Sequence, residues 1–143
     1  MFSQRIRSVM ERKKLLTAPP DTTVSQAAKL MAKKNVGAVM VVEEERLIGI
    51  FTERDAVFRV IAKGRDTKTT LLADVMTTAP QTVDPDKSFG YALLMMHERG
   101  FRHLPVVQNG KVVGMVSSRS ALDPSLEEFI SEEQRRKHFE EKG

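Results

Sequence analysis

The sequence predicts an α/β protein made of two copies of one supersecondary unit, packed together about a pseudo-twofold axis. Three observations predict it. Gly49-Ile50-Phe51-Thr52-Glu53-Arg54-Asp55-Ala56 recurs 65 residues later as Gly114-Met115-Val116-Ser117-Ser118-Arg119-Ser120-Ala121. The same offset carries Pro20-Asp21 onto Pro85-Asp86, Met31 onto Met96 and Val41-Val42 onto Val106-Val107. In each copy a helical apolar stripe precedes two short apolar runs joined by a turn, the order of a helix laid on paired strands. A unit of about 60 residues buries little of its own surface, so the two halves are expected to share a core.

Short helices precede both copies, because Ile6, Val9 and Met10 match Leu72, Val75 and Met76 in type and spacing. Thr23 and Ser88 stand at equivalent positions as helix N-caps, and Thr23-Val24-Ser25-Gln26 fits a capping box. Behind them, Val24, Ala27, Ala28 and Met31 repeat as Phe89, Ala92, Leu93 and Met96, each set falling at i, i+3, i+4, i+7. That is the buried stripe of an amphipathic helix. Gly37 to Val42 and Leu104 to Val107 read as buried strands. Glu44-Glu45 and Asn109-Gly110 read as hairpin turns into second strands, Leu47 to Phe51 and Val112 to Val116. A helix is expected from Thr52 toward Lys63, with Gly64 as its C-cap. Its counterpart from Ser117 soon meets Asp123-Pro124, a cap and N1 proline that start a separate helix carrying Leu126, Phe129 and Ile130. The polar stretch Arg65 to Thr70 links the halves. The expected division is therefore residues 1–66, residues 67–122 and a charged C-terminal helix over 123–143.

Composition narrows the function. The chain has 143 residues and no cysteine, so disulfides and thiolate chemistry are excluded. No apolar run approaches the roughly 18 residues of a membrane span, and the N-terminus lacks the apolar core of a secretion signal. These features read as a cytoplasmic protein. Much of the net charge of +4 comes from Arg5, Arg7, Arg12, Lys13 and Lys14. A basic segment suits nucleic acid or anionic lipid, but no aromatic stacking set or groove-reading motif accompanies it. A solvated helix face is the simpler reading. The methionines Met31, Met40, Met95, Met96 and Met115 sit at helix and strand spacing and read as core filler.

No Ser/His/Asp set, Gly-rich phosphate loop or metal-ligand cluster is recognisable, and His97, His103 and His138 are scattered. The reading is accordingly not an enzyme and not a metal protein. What remains is the doubled signature at the strand-to-helix junction. Unpaired N–H groups and the helix dipole make such a junction an anion site. Thr52 can donate to a phosphate or ribose, Arg54 can pair with phosphate, and Asp55 can accept two ribose hydroxyls. Equally, Thr52 and Asp55 can simply cap their helix. Both readings fit the residues.

The doubled Gly-h-h-[Ser/Thr]-x-x-Asp pattern (h, hydrophobic), with His103-Leu104-Pro105-Val106-Val107 in register before the second copy, resembles a tandem pair of cystathionine-β-synthase (CBS) domains over roughly Ile6 to Leu122. The resemblance implies two βαββα-type repeats with flanking N- and C-terminal helices. It implies a regulatory module that binds an adenosyl ligand (AMP, ADP, ATP, NAD or S-adenosylmethionine) in two clefts between the repeats, and that forms a homodimer serving an unidentified partner protein. Carried over, the first cleft comprises Thr52, Arg54 and Asp55, with Thr82, Val83, Phe101, Arg102 and His103 from the other repeat. The second comprises Ser117 and Ser120, with Thr17, Ala18, Val36, Gly37 and Ala38. Ser120 replaces the expected aspartate, and a hydroxyl lacks the charge-assisted acceptor pair of a carboxylate, which contributes about 1.5–3 kcal/mol. The second cleft is therefore expected to be the weaker. A ligand-free structural or protein-interaction dimer, and a nucleic-acid-binding protein using the basic N-terminus, are the alternatives.

Overall fold

The computed structural model describes residues 2–13, 15–118, 133, 135 and 136. Ser120 and the residues Leu126, Phe129 and Ile130 of the expected C-terminal helix lie outside the described residues.

Helix α1 (Ile6–Val9) is followed by β1 (Thr17–Ala18), α2 (Val24–Lys34), β2 (Ala38–Glu43) and β3 (Arg46–Thr52). Helix α3 (Glu53–Asp55) continues as a π-helical turn over Ala56–Ile61. Then come α4 (Leu72–Val75), β4 (Thr77–Thr78), α5 (Phe89–Arg99), β5 (His103–Gln108) and β6 (Lys111–Ser117). The caps act as their residue types dictate. Thr23 accepts from the Gln26 N–H while the Gln26 side chain accepts from the Thr23 N–H, and Ser88 accepts from the Tyr91 N–H. Helices α2 and α5 end on Asn35 and Gly100, both left-handed.

The repeat is exact at the level of strand register. Strands β2 and β3 pair Ala38 with Thr52, Met40 with Ile50 and Val41 with Gly49, then shift between Val41 and Val42. Strands β5 and β6 pair His103 with Ser117, Pro105 with Met115 and Val106 with Gly114, then shift between Val106 and Val107. The bulge thus recurs at the same place in both hairpins, just before the tip. At the tips, Glu44 and Glu45 have φ of 51° and 67°, and Asn109 and Gly110 have φ of 54° and 79°. Positive φ at both central residues is what a two-residue hairpin turn of matching twist requires.

Each sheet is completed by chain from the segment that leads into the other repeat. Strand β4 closes the first sheet, in the order β1-β2-β3-β4. In the second sheet Val83 bridges Val106 in parallel and Glu11 bridges Met115 in antiparallel fashion, the positions of β1 and β4. The helices follow the same exchange. Leu72 and Val75 of α4 lie in the first half's core with Phe51 and Val60. Ile6 of α1 lies in the second half's core with Phe89 and Val116. A third cluster, Ala38, Met40, Ile50 and Met115, sits where the two sheets meet. Large side chains such as Phe51, Phe89 and Ile6 are fully buried, each contributing about 1.5–3 kcal/mol of transfer free energy. The methionines Met31, Met40, Met96 and Met115 are buried and Met95 is partly buried against the second half's core, as core filler should be.

The helix expected from Thr52 toward Lys63 is shorter and differently wound. The Ala62 N–H donates to the Val57 carbonyl at 2.8 Å and the Arg65 N–H to the Val60 carbonyl at 3.0 Å, the i to i+5 pattern of a π turn. The widened turn keeps Val60 buried and leaves Val57, Phe58 and Ile61 exposed. Gly64 takes a left-handed φ of 67° just beyond it.

Candidate ligand-binding cleft

The site begins at the end of β3. Gly49 is required there by close approach: a Cβ would run into the Met76 side chain and stand 3.0 Å from the Thr77 carbonyl. Gly114 meets Met10 and the Glu11 carbonyl in the same way. The glycine of each signature thus admits the exchanged segment that edges its sheet.

Three residues on, Thr52 caps α3. Its hydroxyl accepts from the Asp55 N–H at 3.3 Å, and Asp55 Oδ2 accepts from the Thr52 N–H at 3.0 Å. The other carboxylate oxygen accepts from the Thr77 hydroxyl at 3.3 Å and pairs with Arg59 Nε at 3.4 Å. Arg59 also donates to the Met76 carbonyl at 3.1 Å. Asp55 is therefore a buried carboxylate held by its own turn and by β4. Arg54 points outward, its guanidinium 4.8 Å from the centre of the Phe58 ring.

These residues face a cleft of about 1190 Å³ between the halves. Thr52, Arg54 and Asp55 line it from the first half, and Phe101, Arg102 and His103 from the second. Val36, Gly37 and Ser117, assigned to the second cleft, open onto the same cavity, so the two half-sites are one continuous space. The other expected residues are elsewhere. Thr82 borders a smaller cleft of about 580 Å³ beside the hairpin tips. Val83 and Ala18 are buried in the cores of the two halves. Thr17 pairs with Met40 in the sheet, and Ala38 is buried between the sheets.

The cleft's centre is polar. A Cβ on Gly37 would collide with the Glu53 carboxylate and lie 3.3 Å from His103 Cε1, so carboxylate and imidazole converge on one bare backbone position. His103 Nδ1 is buried without a hydrogen-bond partner. Burial pushes the imidazole's pKa below its ordinary value, Glu53 pulls it back up and Arg102 pushes it down again, a balance that favours the neutral ring. Sequence reasoning missed Glu53, Phe58, Arg59 and Thr77 as cleft residues. Glu53 lies inside the signature and Arg59 one turn beyond Asp55, so both were within reach of a helical reading. Thr77 carries no linear signal, since only the exchanged strand brings it there.

The family model for the CBS domain matches residues 6–62 and again 72–126. The chain belongs to the CBS domain family. Relatives of this CBS pair include the Bacillus subtilis CBS domain-containing protein YhcV, 39% identical over 71% of this chain and 71% of its own length. The meiotically up-regulated gene 70 protein of Schizosaccharomyces pombe is 35% identical over 83% of this chain but only 18% of its own length. The mitochondrial CBSX3 protein of Arabidopsis thaliana is 38% identical over 80% and 58%. The pair thus spans from under a fifth to about two thirds of such longer relatives. Among solved structures, a Pyrococcus horikoshii protein superposes with a TM-score of 0.81 at 28% identity over 87% of this chain and 94% of that one. A signal-transduction protein with CBS domains from Burkholderia ambifaria gives 0.76 at 32% identity over 84% and 90%. The CBS pair of protein MJ0100, solved with 5′-methylthioadenosine and S-adenosyl-L-methionine, gives 0.78 at 22% identity over 87% and 98%, a likeness of fold. Among the described residues no helix is long and apolar enough to cross a membrane.

Proposed function

We propose that this CBS pair is a regulatory module that binds one adenosyl ligand in the cleft between its halves and reports occupancy to a partner. The observation that carries the reading is that both halves supply the cleft: Thr52 and Asp55 from one, Phe101, Arg102 and His103 from the other. A ligand seated there touches both half-cores at once, so it stabilises their closed arrangement relative to any splayed one, which is what a sensor needs. The orphaned His103 Nδ1 supports it further, since a buried donor or acceptor without a partner costs about 1–3 kcal/mol unless a ligand supplies one. That MJ0100, of the same fold, was solved with two adenosyl compounds supports the ligand class.

The module is regulatory rather than catalytic on this reading, and it works as a homodimer. Val57, Phe58 and Ile61 on the π turn, with Tyr91 and Leu94 on α5, are exposed apolar side chains that a second copy would cover. The basic N-terminus fits nucleic acid less well, because Arg5 and Arg7 both pair with Asp86.

The test is thermal unfolding with adenosine, AMP, ADP, ATP, NAD and S-adenosylmethionine, for the wild type and Asp55→Asn, each scored against its own ligand-free baseline. A ligand at about a hundred times its Kd adds roughly 2.7 kcal/mol. Stabilisation of the wild type that shrinks in the variant is the expected result; no response to any of the six removes the ligand reading.

A further inference from the structure

The two halves of the cleft differ at the positions of Gly37 and Glu53. In the first half the Glu53 N–H donates to the Gly37 carbonyl at 3.1 Å, and in the second the Ser118 N–H donates to the Arg102 carbonyl at 3.0 Å. The backbone geometry is the same, but a long acid beside a bare backbone faces, across the axis, a long base beside a small hydroxyl. Glu53 folds its carboxylate over Gly37 toward His103, and Arg102, the residue before that histidine, lines the same cleft. The cleft therefore carries an acid at Glu53 and a base at Arg102, where the equivalent positions of the other half hold a hydroxyl and no side chain.

The remaining charges do not tip the balance toward anions. Arg54, Arg59 and Arg102 line the cavity together with Glu11, Glu53 and Asp55. Arg59 is occupied by Asp55 and the Met76 carbonyl, and Arg54 is stacked on Phe58. Among the described residues Arg102 is the lining cation with neither an ion pair nor a ring contact.

We infer that Glu53 is a specificity-determining residue that selects adenosyl ligands with a neutral, zwitterionic or singly phosphorylated tail against those with polyphosphate tails. The inference rests on the ligand reading above and names the class within it. A tail with one phosphoryl group carries charge that Arg102 can meet. A zwitterionic tail sets its carboxylate at Arg102 and its ammonium at Glu53. A triphosphate brings further negative charge into a cleft that already holds the Glu53 carboxylate, and like charges repel.

The test is isothermal titration of adenosine, AMP and ATP at pH about 7.5, matched ionic strength and no divalent cation, against the wild type, Glu53→Gln and Arg102→Gln. Glu53 is exposed, so its amide variant should fold, and an unchanged unfolding midpoint checks this. The expected result is that the wild type binds ATP at least about tenfold more weakly than AMP, the factor equivalent to about 1.4 kcal/mol. Glu53→Gln recovers most of that for ATP while leaving adenosine within about twofold, and Arg102→Gln weakens AMP relative to adenosine. ATP binding as tightly as AMP to the wild type, or an equal effect of Glu53→Gln on all three ligands, overturns the inference and leaves the ligand reading intact. Failure of all three to bind any protein overturns the inference, and the six-ligand unfolding test then decides the ligand reading.

Discussion

The Thr77 hydroxyl donates to Asp55 Oδ1 at 3.3 Å. Through that bond, the segment leading into the second repeat holds the last residue of the first repeat's signature. Asp55 caps α3 and also lines the cleft. Asp55→Ala leaves the Thr52 N–H, the Thr77 hydroxyl and Arg59 without their acceptor, and should cost about 1–3 kcal/mol in urea unfolding. Thr77→Val removes one donor only and should cost about 1 kcal/mol. Equal stability of Asp55→Ala and wild type would contradict the buried network.

His103 makes stability depend on pH. Its pKa in the fold lies below the ordinary 6.5, chiefly through burial, so the unfolded chain takes up a proton at a pH where the folded chain does not. Stability is then complete above about pH 6.5 and falls as the pH drops below it, until the folded protein also protonates. The difference in urea midpoint between wild type and His103→Gln should change over about pH 5.5–7.5 with that sign. A constant difference would show that the ring titrates alike in both states.

Substituting the signature glycines should be costly, and unequally so. A Cβ at Gly49 lies 2.9 Å from Met76 Cγ and 3.0 Å from the Thr77 carbonyl, whereas at Gly114 the nearest backbone atom, the Glu11 carbonyl, is 3.2 Å away. Gly49→Ala should destabilise by about 1–3 kcal/mol, the range for overpacking, and Gly114→Ala by less. The order of the two unfolding midpoints decides it.

The first hairpin carries strain that the second avoids. Glu44 and Glu45 both adopt left-handed φ, where the second hairpin uses Asn109 and Gly110. Left-handed backbone costs a residue with a Cβ roughly 1–2 kcal/mol. Replacing Glu44-Glu45 by Asn-Gly should stabilise the protein by about 1 kcal/mol. The substitution gives up the exposed Glu45 pairing with Lys111 at 3.1 Å, which contributes little in water. A lowered midpoint would mean that this pairing between hairpin tips matters more than the turn.

The exposed apolar turn gives a direct test of assembly. Phe58→Asp with Ile61→Asp should shift sedimentation from dimer to monomer. Both side chains are exposed in one copy, so the substitutions should leave the thermal midpoint of a monomer little changed. Persistence of the dimer would move its interface elsewhere.

The parts of the fold that were legible in the sequence are those whose causes are local. Thr23 and Ser88 announce helix starts because a side-chain oxygen satisfies an N–H three residues on. The apolar stripes of α2 and α5 announce their buried faces, and Asn109-Gly110 announces a hairpin because few other pairs tolerate its backbone. In the cleft, Thr52, Arg54, Asp55, Phe101, Arg102 and His103 were identified from the repeat and the family pattern, and they do line one cavity. Thr77 and Glu53 were missed because their roles depend on neighbours distant in the chain: Thr77 arrives on an exchanged strand, and Glu53 turns inward because Gly37 leaves it room.

The sequence by itself determined two repeats, their helix caps, their strand pairs and the residues that end each signature. These are set by periodicity and side-chain chemistry over a few positions. Only the tertiary structure decided that α1 and α4 complete the opposite half-cores, that the half-sites merge into one cleft, and that Asp55, Glu53 and His103 meet partners from elsewhere. Those arrangements follow from burying two incomplete apolar faces against each other, and the free energy of that burial depends on which surfaces meet rather than on any local run of residues.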